Sequence, residues 1–185
     1  MAGDNDCWVF GYGSLMWRPG FPYEETLPAV LHGYHRSFCI YSRHYRGTPQ
    51  QQGLVLGLAP GGCCQGLAFR VAGAEFTSVK AYLDERELVS YAYQAAYLPL
   101  ETPQGEVSAY TFVADSNHPQ YAGELSIERA AQIIIRARGR AGLNRDYLIE
   151  TLRQIEAEGF ADERLHALLQ RVEYLTGLLE AGGGI

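Results

Sequence analysis

Cysteine is scarce in this sequence. Only Cys7, Cys39, Cys63 and Cys64 occur among its 185 residues; none has the C-x-x-C spacing that holds zinc, and neighbours such as Cys63 and Cys64 rarely pair. A chain of this length builds a core without cross-links, so the cysteines read as reduced thiols and neither metal nor disulfide is expected. Positive charge is also short, with 15 Lys and Arg against 21 Asp and Glu and a net charge of −6. That excludes a general nucleic-acid binder, which needs a basic face to neutralise phosphates. It leaves room for an anionic small molecule held by local arginines. No run of about 18 apolar residues is present to span a bilayer. No basic segment leading into an apolar stretch opens the chain, so a cytoplasmic protein away from membranes is expected.

Several catalytic signatures are missing as well. Ser14 lies in Gly11-Tyr12-Gly13-Ser14-Leu15, which is not the G-x-S-x-G elbow of serine hydrolases. Gly139-Arg140-Ala141-Gly142 lacks the Gly-Lys-Ser/Thr ending of a phosphate loop. His32 and His35 are three apart on a predicted strand, so they face opposite sides and cannot share a metal.

What is present reads as strands first and helices last. Residues 7–12 form a continuous apolar strand. Arg18 to Pro28 is Pro-rich and predicts an extended loop, and Leu31 to Tyr41 has strand composition. Gly53–Leu58 and Gln65–Val71 read as two strands joined by a turn at Pro60-Gly61-Gly62, their internal glycines fitting the curvature of a small barrel. A helix is predicted from Phe76 to about Tyr91, with Phe76, Val79 and Leu83 on one stripe. Tyr93–Leu98 and Val107–Val113 return to strand character around Thr102-Pro103-Gln104-Gly105. Three helices follow, with Ser126, Asn144 and Asp162 as candidate caps and Gly159 as the stop of the second. The fold class is α+β, a single domain over 1–185 with a curved sheet, with 1–6 and 181–185 expected to be flexible tails.

Two places draw attention. At the end of the first strand, Gly11-Tyr12-Gly13-Ser14-Leu15 leaves backbone N–H groups unpaired around a bend, a concavity suited to a carboxylate or an oxyanion. In the helix at 76–91, Glu87 points about 20° from Phe76 and about 40° from Leu83 at roughly 100° per residue, whereas Glu85 points to the opposite side. A carboxylate leaning toward a core loses hydration and becomes a proton carrier near neutrality. The plainer alternative is a salt bridge to Arg86 or Lys80.

Taken together, the chain resembles the ChaC-like γ-glutamylcyclotransferases, the glutathione-specific branch. The resemblance runs from Trp8 to about Leu169. It is carried by Val9-Phe10-Gly11-Tyr12-Gly13-Ser14-Leu15, Arg46-Gly47-Thr48-Pro49, and Tyr82-Leu83-Asp84-Glu85-Arg86-Glu87 with Tyr91. Further on come Tyr110, Asn117-His118-Pro119-Gln120-Tyr121-Ala122-Gly123, Gly142-Leu143-Asn144-Arg145-Asp146-Tyr147-Leu148 and Asp162-Glu163-Arg164-Leu165. The departures are His44 and Tyr45 before Arg46, Ser90 where the family has glycine, and no proline after Gly123.

The resemblance implies a small mixed or antiparallel β-barrel packed by helices, cleaving glutathione to 5-oxoproline and cysteinylglycine with no metal or cofactor. It puts the catalytic glutamate at Glu87 and the substrate loop at Tyr12, Gly13, Ser14 and Leu15. Arg46 and Tyr110 are the further substrate-binding positions. A cyclotransferase for other γ-glutamyl amino acids or amines, and a non-catalytic γ-glutamyl-ligand binder, remain as alternatives.

Overall fold

The computed structural model describes residues 6–88 and 92–182. The predicted helix end at 89–91, with Ser90 and Tyr91, lies outside the described residues, as do 1–5 and 183–185. Contacts divide the chain into two units, one of residues up to 36 with 57–118, the other of 37–56 and the residues from 119 on.

Five strands close a barrel: β1 (Cys7–Gly11), β2 (Glu25–Ser42), β3 (Gly53–Val71), β4 (Tyr93–Thr102) and β5 (Gly105–Ala114), in the order β1-β3-β2-β4-β5. β1 runs antiparallel to β3 and parallel to β5, so the barrel is mixed, as expected. The parts of β2 beyond Arg36 and of β3 before Gly57 belong to the second unit. In the first unit, α1 (Phe76–Glu87) lays Val79 and Leu83 into a core with Val9, Leu15, Phe21, Phe69, Val71, Tyr110 and Phe112. Phe76 packs on its edge. The stripe read from helical spacing is therefore the buried face.

Two boundaries differ from the sequence reading. Gly53–Val71 is one continuous strand rather than a hairpin. Gly61 and Gly62 take φ of +101° and +70°, a bend that glycine makes without steric cost, and the His35 ring nitrogen Nδ1 lies 2.9 Å from the Gly61 carbonyl oxygen. The loop predicted over 18–28 is also shorter, because β2 starts at Glu25. There Arg70 holds Glu24 and Glu25 at 2.7 and 3.0 Å, and the Glu24 N–H donates to the Arg70 carbonyl at 2.8 Å.

In the second unit, α2 (Ile127–Arg136), α3 (Asn144–Ala157) and α4 (Glu163–Gly182) pack on one another, with a short pair, β6 (Arg138–Gly139) and β7 (Gly142–Leu143), before α3. Ser126 caps α2 by accepting the Arg129 N–H at 3.1 Å, and Asp162 caps α4 by accepting the Leu165 N–H at 3.1 Å. Gly159 closes α3, its N–H on the Glu156 carbonyl at 2.9 Å. Asn144 does not cap α3. Leu143 occupies the capping position, and the Asn144 side chain is turned onto Leu54, accepting its N–H and donating to its carbonyl, both at 2.8 Å. Asparagine favours helix starts because it supplies a local acceptor; here a buried strand backbone offers two partners instead of one.

Candidate active site

β1 ends at Gly11, and after Tyr12 and Gly13 the chain makes a 3-10 turn over Ser14–Met16. The turn's own bonds use the N–H groups of Met16, Trp17 and Arg18, donated to Gly13 O, Ser14 O and Ser14 O. Those of Gly13, Ser14 and Leu15 are left unused by it. Leu15 itself is 6% exposed and its side chain belongs to the apolar core, which leaves no part of that side chain for a ligand. Tyr12 is buried, while Ser14 is exposed. The turn is anchored to the core through Leu15.

Glu87 stands at the last position of α1 with its side chain 21% exposed, whereas Glu85 is exposed. Burial pushes the Glu87 carboxyl above the ordinary value of 4.5, and Arg86 works against that shift. The Arg86 Nε is 3.5 Å from Glu87 Oε1, beyond a good hydrogen bond, so the pairing is Coulombic and weaker than the loss of hydration.

Arg86 ties the two places together, whereas the sequence offers it only as a rival partner for Glu87. Its Nη2 donates to Ser14 Oγ at 2.9 Å and its Nη1 to the Arg18 carbonyl at 2.7 Å. One guanidinium therefore touches both the turn, at the Ser14 hydroxyl, and the Glu87 carboxylate within the first unit. Adjacent helix residues diverge by about 100°, which hides such a link from periodicity; the only signal was that Arg86 follows Tyr82 by one turn, and Nη1 also reaches the Tyr82 hydroxyl at 3.3 Å.

Tyr110, on β5, is 2% exposed and ringed by Phe76, Tyr97 and Phe112 at 5.1–6.3 Å. Its hydroxyl donates to Asp84 Oδ1. Burial first, and then the Asp84 bond, push its hydroxyl well above the usual phenol range, so it stays protonated. Asp84, one turn before Glu87 on α1, is a second residue that the sequence pattern marked without a role. Lys80 Nζ lies 5.5 Å from the Tyr110 ring centre.

Arg46 lies in the second unit. Its Nη1 donates to the Leu143 carbonyl at 3.1 Å and its guanidinium sits 5.3 Å from the Tyr147 ring centre. The turn, Glu87, Arg86 and Tyr110 are brought together in the first unit. No cluster of three or more metal-ligating side chains occurs among the described residues, nor any helix long and apolar enough to cross a membrane. The four cysteines are free thiols, and burial pushes Cys39 up to about 12.

The glutathione-specific γ-glutamylcyclotransferase of Escherichia coli is 34% identical over 169 residues, covering 91% of this chain and 73% of that protein. The mouse glutathione-specific γ-glutamylcyclotransferase 1 is 33% identical over 180 residues, covering 92% and 81%. A crystal structure of the yeast γ-glutamylcyclotransferase specific to glutathione superposes with a TM-score of 0.81 over 92% of this chain and 97% of that one, at 20% identity, and so shares the fold. The family described as ChaC-like protein matches residues 7–175. With that match spanning nearly the whole chain, this protein belongs to the ChaC-like family.

Proposed function

We propose that this protein is a glutathione-specific γ-glutamylcyclotransferase, acting in the cytoplasm, with Glu87 as its general base and acid. The observation that carries the reading is the desolvated Glu87 carboxylate joined through Arg86 to the Ser14 hydroxyl of the turn. The names of the relatives supply the substrate class.

The α-amine of the γ-glutamyl group attacks its own γ-carbonyl, a new C–N bond closes a five-membered ring, and the bond to cysteinylglycine breaks. Holding the chain folded supplies much of the rate, since oriented intramolecular attack lowers a barrier by about 7–11 kcal/mol. The amine must first be free of its proton. Reference values near 4.3 for glutamate and about 8 for an α-amine leave a transfer uphill by about 5 kcal/mol. A poorly hydrated setting narrows that gap from both sides, raising the carboxyl and lowering the ammonium. Glu87 then returns the proton to the departing amine. The amides of Gly13, Ser14 and Leu15 receive the substrate α-carboxylate or the oxyanion, with Tyr12 as the buried base of the turn. A lost oxyanion donor costs about 2.7–4 kcal/mol. Tyr110, held by Asp84, offers its hydroxyl oxygen to the reacting end as an acceptor.

The test is 5-oxoproline release from glutathione and from γ-Glu-Ala at equal concentration. Fast release from glutathione alone supports the reading. Faster release from γ-Glu-Ala assigns another γ-glutamyl substrate, and glutathione bound but left intact over hours makes the protein a binder. Glu87→Gln with undiminished turnover removes Glu87 from the mechanism.

A further inference from the structure

We infer that Arg36 is a positioning residue for the turn: by holding the Tyr12 carbonyl on the buried side, it sets the Gly13 N–H toward the anion that the turn receives. This rests on the cyclotransferase reading.

The observation begins where two strands part. β1 pairs with β3 from Cys7↔Val71 to Gly11↔Leu67, and Tyr12 and Gln65 stand beyond the last pair. Gly66 lets the strands run this close, since a Cβ there would fall 2.4 Å from the Gly11 carbonyl oxygen. Arg36, on β2 and 3% exposed, reaches the fork. Its Nε donates to the Tyr12 carbonyl at 2.6 Å and its Nη2 to the Gln65 carbonyl. A buried guanidinium is costly unless its N–H groups find acceptors, and an apolar side chain would fill the space while depriving two carbonyls of this donor.

The consequence for the turn follows from peptide geometry. The described peptide bonds are trans, and in a trans peptide the carbonyl and the following N–H point in opposite directions. With the Tyr12 oxygen drawn to Arg36, the Gly13 N–H faces away from that buried side, and the turn's own bonds do not use it. Were the peptide to rotate, an oxygen instead of an N–H would meet the incoming carboxylate or oxyanion. Arg86 holds the same turn from its exposed side, at Ser14. The two arginines fix it on either side of Gly13 by different groups, the Ser14 hydroxyl and the Tyr12 carbonyl.

The test uses Arg36→Met and Arg36→Lys in the active protein and in a Glu87→Gln background, with the Gly13 amide followed by NMR as glutathione is added. The assignment expects a downfield move of the Gly13 amide proton in Glu87→Gln that is lost in the double variant with Arg36→Met. In the active protein, Arg36→Met lowers kcat/KM about a hundredfold, the size of a misplaced oxyanion donor, with the acid limb of the pH profile unmoved. Arg36→Lys, which keeps one donor, recovers part of both readouts. A folded Arg36→Met with wild-type kcat/KM, or an intact Gly13 response in the double variant, overturns it. Should Arg36→Met fail to fold, Arg36→Lys decides in the same way: parent-like kcat/KM and Gly13 response overturn the assignment. Wild-type protein that leaves glutathione intact overturns the underlying function instead, so the two failures are told apart.

Discussion

Glu87 in the first unit and Asn144 in the second are both polar groups taken largely out of water, and the fold treats them in opposite ways. Asn144 is 0% exposed and both ends of its amide are matched by the N–H and carbonyl of Leu54 at 2.8 Å. Glu87 loses its hydration and, among the described residues, is offered a charge at 3.5 Å, so its carboxyl rises above the ordinary value. A satisfied buried group contributes stability; an undercompensated one stores a proton affinity that chemistry can use. What a buried polar residue does is therefore legible from how fully its hydrogen-bonding capacity is met.

The largest expected effect breaks the pair apart at Glu87. Glu87→Gln should lower kcat on glutathione about a thousandfold, within the range of a lost general base, without lowering Tm at neutral pH. Because the folded carboxyl is raised, the wild type loses stability as pH climbs from 4.5 through the folded value. The glutamine variant lacks that loss, so at neutral pH it melts at or above the wild type, and the difference vanishes below 4.5. Thermal melts across pH check this.

Asn144→Ala should do the converse. It strips two buried backbone groups of their partners, which costs about 2–4 kcal/mol and lowers Tm by about 10 °C. Its kcat should fall far less than that of Glu87→Gln, as calorimetry beside an activity assay would measure. Arg86→Gln is expected to be intermediate, cutting kcat/KM about tenfold by loosening Ser14 while moving the acid limb of the pH–rate profile upward, since Arg86 opposes the rise at Glu87.

The smallest effect belongs to Glu128→Gln. That carboxylate is bonded to Arg171 at 2.5 Å and held below its ordinary value, chiefly by that bond. Its exposed side chain keeps any contribution small. Its share is present above 4.5 and fades as pH falls toward the lowered folded value, so the variant should match the wild type in acid and be slightly less stable at neutral pH.

Much of this was legible before the fold. The 3.6-residue period set Glu87 on the flank of a buried stripe and Glu85 away from it, because helical geometry is local. The bend after β1 followed from glycines at a strand end. What stayed hidden depended on contacts far along the chain. Asn144 has the composition of a cap, but its partner is 90 residues away. Arg86 reaches Ser14 across 72 positions, and Arg36 reaches Tyr12 across 24. Pro60-Gly61-Gly62 looks like a turn because local chemistry does not distinguish a hairpin from a bend within one long strand.

The most direct test of the central claim is the pH dependence of kcat/KM for 5-oxoproline release from glutathione by wild type and Glu87→Gln. The account expects a wild-type acid limb that rises at a pH above 4.5 and is absent from the nearly inactive variant. An unchanged limb and rate in Glu87→Gln would contradict it.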